Sequence, residues 1–366
     1  MNKTFFSTSR FSGQSIRRVL PLCAAILVLS ASARAQKAAP SAGNFQYKAD
    51  KISITTTGVR LDGNAQITSP QLEVRAGAIA FDFQKNQITE VRAINNVRLK
   101  VSLTPKGGGV LTRIETTSDS ATLKPVTREL TLTGNVDGFY QQAGGPKTTL
   151  AGTKVVMRYI GENLDGVISG PISLSVPAEA VPAGATNSAA IGSVKITADG
   201  AKIDGKEGVV RFVGNAHAVS TDGPNKFDIA ANEFVLTRSA TNTIDTLKTS
   251  GRTRLKIDLP AEPTVAGDVK TMGKPTRVEV ESDSATVSRL TNTLTFEGNV
   301  TGFYFLAPAG GEPQKYDFNG NKAVLRSIPE NQATAENPAG LKAEITGTPG
   351  KPVEVLTPAF SLDMGN

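Results

Sequence analysis

The chain has 366 residues, with 35 glycines, 20 prolines, no tryptophan and 5% aromatic residues, a balance that favours turns and small β-branched core residues over large aromatic anchors. Its single cysteine excludes a disulfide framework and a cysteine-based metal site. The net charge of +7 suggests nucleic acid, but Lys3, Arg10, Arg17, Arg18 and Arg34 carry five of those charges in an acid-free N-terminal stretch; setting them aside leaves +2, so no nucleic-acid partner is expected.

The first element in chain order is that basic stretch, followed by an apolar run from Val19 to Leu29 and then Ala33-Arg34-Ala35. This is the order of a secretory signal, and the run is shorter than the roughly 20 residues a membrane span needs. Residues 1–35 are therefore expected to be a cleaved signal peptide that exports the chain. Cys23 follows Leu22, where a lipoprotein signal needs a small residue, so it reads as part of the apolar region.

Residues 36–44 read as a flexible tail, and a duplication follows. Thr112-Arg113-Ile114-Glu115 and Ser118-Asp119-Ser120-Ala121-Thr122 recur 164 positions later, as Thr276-Arg277-Val278-Glu279 and Ser282-Asp283-Ser284-Ala285-Thr286. At the same offset of 164, the run from Leu130 to Tyr140 returns as the run from Leu294 to Tyr304. The halves are placed at residues 45–177 and 194–366, joined by an Ala/Gly/Pro/Ser linker over 178–193.

Within each half, a Gly or Asn turn between two alternating runs marks a smaller unit. The marks are Gly63-Asn64-Ala65, Asn95-Asn96-Val97, Gly134-Asn135-Val136 and Ser169-Gly170-Pro171, then Gly214-Asn215-Ala216, Ser250-Gly251-Arg252, Gly298-Asn299-Val300 and Thr346-Gly347-Thr348. The flanking runs alternate with period two, as at Ile52 and Ile54 or Leu255 and Ile257, which predicts half-buried strands. Gly-Asn pairs suit positive φ, and no segment outside the signal has helical spacing. The expected class is all-β: stacked antiparallel strand-turn-strand repeats in two similar halves.

The phrase from Ser118 to Leu123, a short turn, then Leu130 to Val136, repeated from Ser282 to Val300, resembles the OstA-like family. The resemblance implies a half-open β-jelly-roll, or β-taco, whose interior groove takes the acyl chains of lipopolysaccharide or a related glycolipid in the outer-membrane assembly pathway. It also implies end strands that join envelope transport partners or further copies head to tail. Candidate lipid-contacting residues are Leu130, Leu132, Val136, Val210, Phe212, Leu294, Phe296 and Val300, alternating apolar residues near the marks. Candidate phosphate-contacting residues are Arg113, Lys124, Arg128, Arg277 and Arg289.

Catalytic chemistry has little to work with. His217 is the single histidine and sits in an alternating polar run, while Asp119 and Asp283 are copies of one phrase, pointing to a turn or edge role. Zinc spacing, a phosphate-binding Gly-rich loop and a Gly-x-Ser-x-Gly elbow are all missing from the sequence, so neither enzyme nor cofactor is expected. The alternative reading is a structural β-repeat protein that carries no lipid and assembles through its end strands in the cell envelope.

Overall fold

A computed structural model of the protein describes residues 45–84, 87–103, 112–142, 147–160, 163–176, 193–220, 222, 226–238, 244–258, 274–288, 291, 293–307, 314–328, 340–347 and 353–356. The expected signal peptide, the N-terminal tail, nearly all of the linker and Arg289 lie outside these residues. All eighteen elements are β-strands in one sheet, without a helix among the described residues.

The strands form an antiparallel meander. From β3 (Gly58–Thr68) to β16 (Gln314–Ile328), each strand pairs with the next in sequence, through β4 (Leu72–Gln84), β5 (Gln87–Leu103), β6 (Thr112–Lys124), β7 (Glu129–Gln142), β8 (Lys147–Ile160), β9 (Asn163–Val176), β10 (Val194–Asp204), β11 (Val209–Ser220), β12 (Lys226–Arg238), β13 (Ile244–Asp258), β14 (Lys274–Ser288) and β15 (Thr293–Ala307). One edge strand is split into β1 (Gln46–Lys48) and β2 (Lys51–Ile54), both paired with β3. The other is split into β17 (Gly340–Thr346) and β18 (Glu354–Leu356), both paired with β16. The ladder does not stop between the halves: β9 pairs with β10 from Val176↔Val194 to Gly166↔Ile203.

The Gly-Asn marks differ from expectation in one respect. They are not turns between two strands but corners inside single strands. Gly134 and Asn135 have φ of 76° and 45°, Gly298 and Asn299 have 77° and 46°, and both pairs lie in the middle of a continuous strand. Two consecutive left-handed residues bend the strand and shift its register, between Thr133 and Val136 in β7 and between Glu297 and Val300 in β15. The neighbouring strands shift at the same level, so a line of corners crosses the sheet and divides it into two limbs.

Each Gly-Asn corner is held by an Asp from the preceding strand. The Asn64, Asn135, Asn215 and Asn299 amides donate to Asp50, Asp119, Asp199 and Asp283 at 3.0, 3.1, 2.9 and 2.9 Å. This is what the repeated Asp119 and Asp283 do. The same carboxylates lie against Gly134 and Gly298, where a Cβ would collide with them. Glycine is thus required at those corners by both φ and space.

Folding at the corners lets a single sheet bury one of its own faces. Leu132, before the corner, and Val136, after it, are 1% and 4% exposed and belong to one apolar cluster that runs from β6 to β16. A second cluster, built on Leu61, Ile79 and Val97, extends the interior to β3. Val91 and Ala121 pack against both. The linker and the β5–β6 and β13–β14 connections leave from strand ends on the limb that carries Val136, whereas the β16–β17 connection leaves from the other limb. On the Leu132 side the β6–β7 turn is short, at Pro125 to Arg128, where the Arg128 amide donates to the Pro125 carbonyl.

Gly134→Ala is expected to cost about 1–3 kcal/mol, whereas Arg128→Gly, which relieves a φ of 53°, is expected to add about 0.5–1 kcal/mol. Urea unfolding of both variants checks the pair.

Candidate functional site

The inward stripe follows a rule that differs between alternate strands. On strands carrying a left-handed pair the in-out phase survives the corner, as in β11, where Val210, Phe212, Ala216 and Ala218 all point inward. On the strands between them the phase flips. In β12 the inward set runs Ile229 and Ala231, then Phe234; in β14 it runs Val278, Val280 and Ser282, then Ala285. The residue at the flip, Asp119, Asp199 or Asp283, faces solvent and reaches its corner Asn.

The proposed lipid-contacting residues all occupy this interior. Leu130, Leu132, Val136, Val210, Phe212, Phe296 and Val300 are buried in the large cluster, and Leu294 packs against it partly exposed. They pack against one another in that cluster. Sequence reasoning missed Ile114, Val155, Ile229, Phe234, Val278 and Val280, which are equally buried. Alternation marks several of them, but only once the flip at the Asp corners is taken into account. Alanines at 216, 218, 231, 285 and 323 share the interior with these larger side chains.

Polar groups inside the sheet gather at the corners. The Thr249 and Thr253 hydroxyls are 2.6 Å apart, and Thr249 Oγ1 accepts the Ala285 amide at 2.8 Å. That amide lies beside the β13–β14 register shift between Ser250 and Thr253, so the hydroxyl serves it where the ladder is interrupted. Ser282 on the next strand donates to the Ser284 carbonyl. Ser220, 1% exposed, is the one buried side-chain oxygen without a hydrogen-bond partner among the described residues.

The basic candidates sit on the outer face or in a turn. Arg113 pairs with Glu115, and Arg277 with Glu279 and, at 3.8 Å, with Asp258. Lys124 and Arg128 are exposed at the β6–β7 turn. The structure does not bring these four together into one anion site. The outer face elsewhere is laced with ion pairs such as Arg158–Glu129 and Lys322–Glu297. At Glu281, burial raises the carboxyl pKa, but hydrogen bonds and charge from Arg254 and Arg252 outweigh it and hold the group below its ordinary value.

His217 faces outward, with Nε2 2.8 Å from Asp228 Oδ1, and both side chains are about half exposed. Among the described residues no three His, Cys, Asp or Glu side chains are placed to hold a metal ion.

One solved structure that this chain resembles is LptH, the LptA homologous periplasmic component of the conserved lipopolysaccharide transport device from Pseudomonas aeruginosa. The match has 13% identity, covers 33% of this chain and 80% of that one, and has a TM-score of 0.27. No protein-family model and no curated protein matches the chain. The fold assignment therefore stands on the chain's own strand pairing.

Phe296→Ala is expected to cost about 3–5 kcal/mol, against under about 0.5 kcal/mol for its outward neighbour Glu297→Ala. Thr249→Val, which strips the Ala285 amide of its acceptor, is expected to cost about 1–3 kcal/mol. Chemical denaturation of the three variants measures these costs.

Proposed function

We propose that the protein is a periplasmic carrier that shields the acyl chains of lipopolysaccharide or a related glycolipid between the two limbs of its bent sheet. The observation that supports this most is the inward apolar stripe, which follows a strand ladder running through both halves without interruption at the linker. The likeness of the Ser118–Val136 and Ser282–Val300 phrases to the OstA-like family supports it independently. Burial of each methylene contributes about 0.8 kcal/mol, so a few turns of acyl chain offset the separation of side chains that otherwise close on one another. The mechanism is passive: the limbs part at the corner line, apolar surface is exchanged for lipid, and energy for directional movement comes from partners.

A second reading is favoured by the sheet edges. β1 and β2 are almost wholly exposed, with Tyr47 at 49%, Ile52 at 50% and Ile54 at 77%, and an edge of that kind pairs with another strand. On this reading the protein is a structural scaffold that assembles end to end, or onto envelope transport proteins, without carrying lipid.

The test is mass spectrometry of lipid extracted from protein purified gently from the envelope, comparing wild type with Ala218→Phe and Ala285→Phe. Filling the interior in this way is expected to remove co-purifying glycolipid while circular dichroism stays β-rich. A wild-type protein that carries no lipid yet sediments as end-to-end assemblies would favour the scaffold.

A further inference from the structure

The two halves have diverged on their outer face, and the difference has the chemistry of a binding site. In the second half, on the limb that carries Val300, the lining of a groove of about 370 Å³ includes Phe303, Glu279, Glu281, Asp317, Asn319 and Arg254, together with Val280 and Phe318 of the apolar cluster. The strand register explains its form. Glu279, Phe303 and Asp317 lie directly opposite one another across β14, β15 and β16, and Arg254, Glu281, Thr301 and Asn319 form the adjoining row. Phe303 also meets Phe305 edge-on at 5.6 Å, and the Lys315 ammonium lies over its ring at 4.5 Å.

The first half keeps the aromatic and part of the rim: Arg98 and Glu115 match Arg254 and Glu279, and Asp137 stands where the second half has Thr301. Phe139 occupies the matching place, with Glu115 opposite it and Lys147 at 4.4 Å from its ring centre, as in the second half. Thr117, Thr149 and Ala151, however, stand where the second half has Glu281, Asp317 and Asn319. The outward Phe-Lys pair is thus common to both copies, while the rim residues Glu281, Asp317 and Asn319 belong to one.

We propose that this groove binds a saccharide, with a pyranose ring against Phe303 and its hydroxyls at the polar rim. A sugar ring presents a face of polarised C–H groups to an aromatic ring and a rim of hydroxyls that donate and accept. The volume lies at the lower end of the roughly 300–1,000 Å³ typical of small-molecule sites. The charge state of the rim favours a neutral ligand over a cation. Glu279 is already paired with Arg277, Glu281 with Arg252 and Arg254, and Asp317 with Lys315, so a basic peptide has to displace existing partners. Hydroxyls need only the lone pairs those ion pairs leave free. The polar residues and Phe303 that would meet the sugar lie on the outer face, whereas Val280 and Phe318 beneath them belong to the apolar interior.

The test uses the lipid-stripped protein in saturation-transfer NMR with N,N′-diacetylchitobiose, maltose and lactose as probes, and an oligolysine peptide as competitor. At least one disaccharide is expected to bind with Kd of about 1 mM, weakening about tenfold or more in Phe303→Leu and Asn319→Ala. Phe139→Leu, at the matching place in the first half, is expected to leave the affinity unchanged, with circular dichroism reporting the fold of every variant. No transfer to any of the three sugars, binding that survives Phe303→Leu, or occupation of the groove by oligolysine in place of sugar would each overturn the proposal. Because the probes are free sugars, failure here leaves the lipid-extraction result untouched, and the reverse also holds.

Discussion

The fold depends on a backbone constraint: two successive residues at positive φ in the middle of a long strand. A straight antiparallel sheet of this length would expose both faces to water and would have no core. Bending each strand at the same level turns one sheet into two limbs that cover one another, and burial of Leu132, Phe234, Phe296 and Val300 follows from that bend. Only glycine, and asparagine at modest cost, adopts this conformation readily, which is why Gly-Asn recurs along the chain. The Asp from the preceding strand completes each such corner by taking the Asn amide and closing the space beside the glycine.

Corners also interrupt the ladder, and the interruption shapes the interior. Backbone groups beside a register shift need other partners, and Thr249 supplies one to Ala285 from inside the core. In the first half the corresponding corner carries Ala93 and Val97 instead, so that stretch of the interior is more apolar. The regions around the two repeated phrases thus share one bent-sheet architecture but differ in interior polarity at one corner and in the outer-face residues around Phe139 and Phe303.

Much of this was legible in the sequence, and the parts that were not have physical causes. The all-β class and positive φ at the Gly-Asn pairs followed from the period-two runs and the repeated Gly-Asn phrases. The marks' role as corners rather than hairpin turns was not readable, because both use the same residues for the same dihedral reason. Val278, Val280 and Phe234 escaped because the phase flip at Asp283 and Asn232 makes a single strand read as two runs of opposite parity. Leu130, Leu132, Phe212 and Phe296 were identifiable because they lie on strands where parity survives the corner. The Phe303 groove was hidden for another reason. Its residues come from four strands, and only the register places Glu279, Phe303 and Asp317 side by side.

The central claim is that the interior between the limbs is where lipid lies, and adjacent residues of β7 separate inside from outside. A photoreactive benzophenone side chain placed at inward Leu132 or at outward Thr133, followed by irradiation of intact cells, tests this directly. The account predicts cross-links to glycolipid from position 132 and none from 133. Equal cross-linking from both positions, or labelling at 133 alone, would contradict it.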